Sequence, residues 1–318
     1  MSILGSNLAK CSNLSYFYLY LQNQVSIGSD VMKYLGHEIA KYPKLKELYL
    51  DLSQNNFEEN QQQNHDSGDQ LNNSLKNLTI LLNQNNIMKN IAQSLDFSFK
   101  QFTDLLSLKI ELKSNQIEDE FFIQLTSQLA TQTKLQTLIL SLERNNIKAS
   151  LSQNLGNGLA NLKCLSTLDI NLSENGLGGN DIFGQLQLAK LTNLTNLKLN
   201  LMHNNIGENG TKALATYDNN IQDSAFELAQ SLTNCSNLSN LTLWLGDNDV
   251  EKNMNKLYQL YALIQKIVHS LNFLCFNIMI DIIMIVCILV YKLILVWQTV
   301  CQKQKNQQNM IFILNDLV

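Results

Sequence analysis

Four histidines, six cysteines and a short acidic run are the residues here that could do chemistry. The histidines stand at 37, 65, 203 and 269 and the cysteines at 11, 164, 235, 275, 287 and 301, with no CxxC and no His at zinc spacing from a Cys. "GDND" brings Asp247 and Asp249 together like the start of a calcium loop, but the remaining acidic positions of such a loop are absent. There is no Walker GxxxxGK[ST], HExxH, HRD, DFG or GxSxG motif. The sequence thus points to no enzyme, no cofactor and no metal site.

The chain has 318 residues, 45% of them hydrophobic and 16% charged, enough for one large domain or two ordinary ones. A net charge of −4 directs it toward neither nucleic acid nor an anionic surface. Scattered cysteines fit reduced thiols in the cytoplasm, and the first residues, "MSILGSNLAKCSNLSYF", lack the basic and then apolar order of a signal peptide. The 42 asparagines make Asn-x-Ser/Thr triplets, as at Asn77 and Asn193, expected by chance.

Those asparagines are not all random. "LKELYLDLSQNNF" begins at Leu45, "LKNLTILLNQNNI" at Leu75, "LLSLKIELKSNQI" at Leu105, "LQTLILSLERNNI" at Leu135 and "LSTLDINLSENGL" at Leu165, each 30 residues after the last. "LTNLKLNLMHNNI" follows at Leu194, "LSNLTLWLGDNDV" at Leu238, and a worn copy, "LSYFYLYLQNQVS", starts at Leu14. A fixed period of this length signals stacked supersecondary units that bury a core only together. Alternation by two inside each phrase predicts a strand. Between phrases the apolar spacing lengthens to that of a helix, as at Phe122, Leu125 and Leu129 or Phe226, Ala229 and Leu232.

The phrase LxxLxLxLxxNxI with a helical return resembles the leucine-rich repeat, in its long ribonuclease-inhibitor-like subclass, over roughly residues 1–250. The resemblance implies an α/β solenoid, a horseshoe with parallel strands on the concave face and helices on the convex face, without intrinsic catalysis. It implies a scaffold that binds a protein partner through the concave face. A regulator of a small GTPase or nuclease is an alternative carried by resemblance alone.

The recurring amide has a structural reason. After the strand the chain turns inward, leaving buried N–H and C=O groups without ladder partners, and an Asn side chain both donates and accepts. Asn55, Asn85, Asn115, Asn145, Asn175, Asn204 and Asn248 are therefore expected to form a ladder inside the solenoid.

Residues between the buried leucines must face outward. One column runs Tyr18, Tyr49, Thr79, Lys109, Ile139, Asp169, Lys198 and Thr242, and the next Tyr20, Asp51, Leu81, Glu111, Ser141, Asn171, Asn200 and Trp244. From these the candidate protein contacts are Tyr18, Tyr20, Tyr49, Asp51, Lys109, Glu111, Ile139, Asp169, Lys198 and Trp244. The tyrosines form an aromatic patch of the type that dominates interfaces. Trp244 is either a contact at the far end or covered by the tail. Mixed charge along both columns indicates no acidic, basic or small-molecule ligand.

The array falters in places. Residues 58–74 are almost wholly polar where a helix is due, predicting a mobile polar loop or a frayed convex segment, and "NNI" at 204–206 recurs at 219–221, a half-duplication that makes 207–223 irregular. "GSNLAKCSNL" at 5–14 echoes "AQSLTNCSNL" at 229–238, so the chain opens either after a lost repeat or on a cap, with Cys11 and Cys235 as equivalent buried small residues. From 251 to 318 repeat logic ends. "MNKLYQLYALIQKIVHSL" suits a covering helix, and 278–300 is long enough to span a bilayer, though Asp281 and Lys292 interrupt it. Three readings of this hydrophobic tail stand: a membrane anchor, which would make a membrane-anchored recognition protein; a segment foreign to the natural protein; and a buried helix closing the solenoid.

Overall fold

The computed structural model describes residues 11, 13–24, 42–55, 74–87, 102–117, 119–148, 152–177, 187–204, 235 and 237–244. Eight five-residue strands carry the repeated phrase. They are β1 (Tyr16–Tyr20), β2 (Glu47–Asp51), β3 (Asn77–Leu81), β4 (Ser107–Glu111), β5 (Thr137–Ser141), β6 (Thr167–Asn171), β7 (Asn196–Asn200) and β8 (Asn240–Trp244). They form one sheet in sequence order, every neighbouring pair parallel. Parallel neighbours need a long return connection, and the 30-residue period provides it.

The register never slips. Leu138 lies between Leu108 and Leu168, and Leu140 between Ile110 and Ile170, so each inward position stacks on its own equivalents. From β2 to β7 those inward leucines and isoleucines are buried, and the leucines opening and closing each phrase join them in one continuous cluster. A one-residue slip would send this whole apolar set to the opposite face, and that holds the pairing in place.

The strands are entered through a shared carbonyl. Gln136 O accepts from both Ser166 N–H at 2.8 Å and Thr167 N–H at 3.0 Å, and Lys46, Lys76, Leu106 and Ser166 act in the same way at their own rungs. They are left through a left-handed residue. Gln54, Gln84, Ser114, Arg144, Glu174 and His203 have φ between 53° and 60°, and each directly precedes a ladder asparagine. None is glycine, so each costs about 1–2 kcal/mol of backbone strain, which the surrounding hydrogen bonds must offset.

Two α-helices lie among the described residues, α1 (Asp119–Leu129) and α2 (Ser152–Leu159), with a 3-10 helix at Leu188–Lys190. Phe122, Leu125 and Leu129 of α1 and Leu155 and Leu159 of α2 enter the same core as the strands. The helices touch at Gly158, where a Cβ would stand 2.7 Å from Thr126 O. Only a residue without a side chain allows that approach. The polar segment 58–74 up to residue 73, the irregular segment 207–223 and the tail 251–318 lie outside the described residues, and the expected C-terminal helix lies outside them too.

Candidate protein-binding surface

The asparagines close each turn. Asn145 Nδ2 donates to Leu142 O of its own rung at 2.9 Å and to Leu112 O of the preceding rung at 2.8 Å. The Asn145 backbone N–H donates to Asn175 Oδ1 at 2.9 Å, and Asn115 N–H donates in turn to Asn145 Oδ1 at 3.1 Å. Asn55 and Asn85 continue the chain, with Asn55 N–H donating to Asn85 Oδ1 and Asn85 N–H to Asn115 Oδ1. Asn204 donates to Leu172 O and Leu201 O. Asn55, Asn85, Asn115, Asn145, Asn175 and Asn204 are all buried, as interior turn residues must be. Asn248 falls outside the described residues. In the β1 copy Gln24 takes the asparagine's slot: its N–H reaches Asn55 Oδ1, but its side chain folds back onto Gln22 O.

With the leucines committed to one side, the first, third and fifth residues of β1 to β7 stand on the other, in three columns. Tyr16, Tyr18 and Tyr20 of β1 are 57%, 47% and 62% exposed. Tyr49 of β2 is half-buried beside them, its ring centroid 6.1 Å from that of Tyr18 and 5.0 Å from that of Tyr20. Tyr18 Oη donates to Glu47 Oε1 at 2.7 Å, and that bond to a carboxylate pushes the phenol's pKa upward. Burial, followed by the charge of Asp51, raises Tyr49 as well.

Asp51 departs from the outward pattern of its column. It is only 3% exposed, because Gln22 Nε2 covers and hydrogen-bonds Oδ2 while Ser53 N–H donates to Oδ1 at 3.1 Å. A carboxylate in this position supports the start of the turn and offers little surface to a partner. Tyr16 belongs to the patch although the sequence columns start at Tyr18; the edge position of β1 exposes it. Cys11 and Cys235 also part company. Cys235 is buried against Leu188 O at 3.4 Å, whereas Cys11 is exposed, with no unit before β1 among the described residues.

The middle rungs are polar and internally paired. Lys109 Nζ lies 2.8 Å from Glu111 Oε1, and Asn83 Nδ2 donates to Glu111 Oε2 at 2.9 Å. Burial pushes the Glu111 carboxyl up, but these donors outweigh it and leave its pKa below the ordinary value. Lys113 pairs with Glu143 at 2.5 Å, and Lys198 with Asp169 at 3.7 Å. Ile139 is half-buried between Lys109 and Asp169 in the central column. Trp244 ends β8, paired in register with Asn200. No group of three His, Cys, Asp or Glu placed to hold a metal occurs among the described residues. Nor is any helix among them long and apolar enough to cross a membrane; 278–300 lies outside them.

In-register parallel strands at a step of about 30 residues from β1 to β7, closed by buried asparagines, define a solenoid of stacked parallel-strand repeats. No family model matches the chain and no curated protein matches it. Among solved structures it is similar to a plant peptide hormone receptor, RGFR1, in complex with RGF2, at 18% identity and a TM-score of 0.28 over 66% of this chain. The chain spans 38% of that receptor chain's length.

Proposed function

We propose that this chain is a non-catalytic scaffold that binds a protein partner through the concave face formed by its strands, within a ribonuclease-inhibitor-like repeat architecture whose helices line the convex side. The observation that carries the reading is the contrast between the two sides of one strand. Inward residues are leucine or isoleucine at every rung from β2 to β7, while the central outward column changes from Tyr to Thr, Lys, Ile, Asp and Lys. Packing determines the first set and leaves the second free for recognition. Exposed aromatic residues at one end supply the anchors that interfaces favour. Helices α1 and α2, in successive units of 30-residue period, support the subclass.

Photo-crosslinking tests this directly. A photoreactive residue at Ile139 is expected to capture a partner protein, and one at the exposed Ile123 of α1 is expected to capture none. Capture from Ile123 but not from Ile139 would move the interface to the helices and overturn the reading.

A further inference from the structure

Five acids lie on the open face or its rim among the described residues: Glu47, Asp51, Glu111, Glu143 and Asp169. Glu111, Glu143 and Asp169 each hold a lysine from the same face. Glu47 and Asp51 hold none. Glu47 is met by the Tyr18 hydroxyl, and Asp51 by the Gln22 amide and the Ser53 N–H. These donors are neutral, so among the described residues neither carboxylate is paired with a cation, and both belong to the corner where Tyr16, Tyr18, Tyr20 and Tyr49 gather. The open face of β1 and β2 carries no lysine or arginine: Lys46 stands just before β2, and the first cation in the columns is Lys109 on β4.

We propose that this corner receives an arginine side chain presented by the partner protein; the inference rests on the reading that the open face binds a protein. Tyrosine rings attract a cation placed within about 6 Å of their centroids. The negative charges of Glu47 and Asp51 add to that attraction, and a planar guanidinium both stacks on a ring and forks hydrogen bonds to a carboxylate. Ring centroids 5.0 and 6.1 Å apart leave no slot between the tyrosines, so the guanidinium lies over their exposed faces and reaches Glu47 at the edge. The rest of the face already neutralises itself, which leaves this corner as the place where a partner's positive charge gains most. Lysine, a compact and strongly hydrated charge, has less to gain from the rings.

The test uses the whole chain as bait for a displayed random-peptide library, followed by synthesis of the selected peptides with arginine or with citrulline, its neutral near-isostere. Selected peptides are expected to contain arginine and to lose about tenfold in affinity with citrulline in its place. Glu47→Gln and Tyr18→Ala should cause similar losses, and added salt a further one, with circular dichroism unchanged. Peptides that bind through the face but ignore both citrulline and Glu47→Gln overturn the arginine site and leave the protein-binding reading standing. If binding is also indifferent to Ile139→Glu and Lys198→Glu, or no peptide is selected, that reading fails with it.

Discussion

The middle and the N-terminal edge of this sheet are written in the same phrase and behave differently. In β5, Leu138 and Leu140 have a rung on each side and are buried to within 1%. In β1, Phe17 and Leu19 occupy the same inward positions and are only partly buried, with β2 as their one strand neighbour. The amide that closes the turn is Asn145 in the middle and has become Gln24 at the edge, with its side chain turned away from the ladder. The open face divides along the same line, with ion pairs across β4 to β7 and tyrosines at β1 and β2. A stacked array is stabilised by nearest-neighbour interfaces, so a rung draws its burial from its neighbours more than from its own letters. The edge, relieved of packing duty on one side, is where chemistry not needed for the fold accumulates.

That contrast is open to direct attack. Leu140→Ala should cost about 2–5 kcal/mol, because it leaves a cavity between two fixed rungs, while Leu19→Ala should cost about 2 kcal/mol or less. Chemical denaturation of the two variants decides the matter, and equal losses would abolish the distinction. Next in size is the ladder. Asn145→Ala strands the Asn115 N–H and removes one of the two amide donors at Leu112 O and at Leu142 O, which keep Asn115 Nδ2 and Asn175 Nδ2, an expected loss of about 1–3 kcal/mol. Gln24→Ala, removing one exposed hydrogen bond, should stay within about 0.5 kcal/mol in the same assay. The smallest effect is kinetic and leaves stability alone. Burial pushes the Cys235 thiol up to about 11, so at mildly alkaline pH it holds its proton and reacts slowly. Iodoacetamide followed by residue-resolved mass spectrometry should label exposed Cys11 and Cys164 well before Cys235. Comparable labelling of Cys235 would mean that its rung opens as freely as the edge.

Much of the architecture was legible before any coordinates. Strand positions, the inward leucines and the ladder slots follow from the period, because each unit must solve the same burial problem with the same residue types. The sequence contains no such signal for the left-handed residue before each asparagine. Gln54, Ser114, Arg144 and His203 share a backbone conformation and no side-chain property. Gly158 reads as an ordinary helix residue until α1 is laid against α2 and Thr126 O arrives where its side chain would be.

At the candidate surface the division is sharper. The columns, and the gathering of Tyr18, Tyr20 and Tyr49, could be counted out along the chain, since strand periodicity and repeat length together place them. Asp51 looked equivalent to Glu111 and is instead closed over by Gln22; Tyr16 stood outside the two columns and is exposed; among the described residues Glu111 found a lysine and Glu47 did not. These outcomes depend on residues about 30 positions apart whose identities do not repeat. What repeats is set by local chemistry and is written into every unit. What varies is settled only when one rung is laid on the next, because burial and charge pairing belong to the neighbour as much as to the residue.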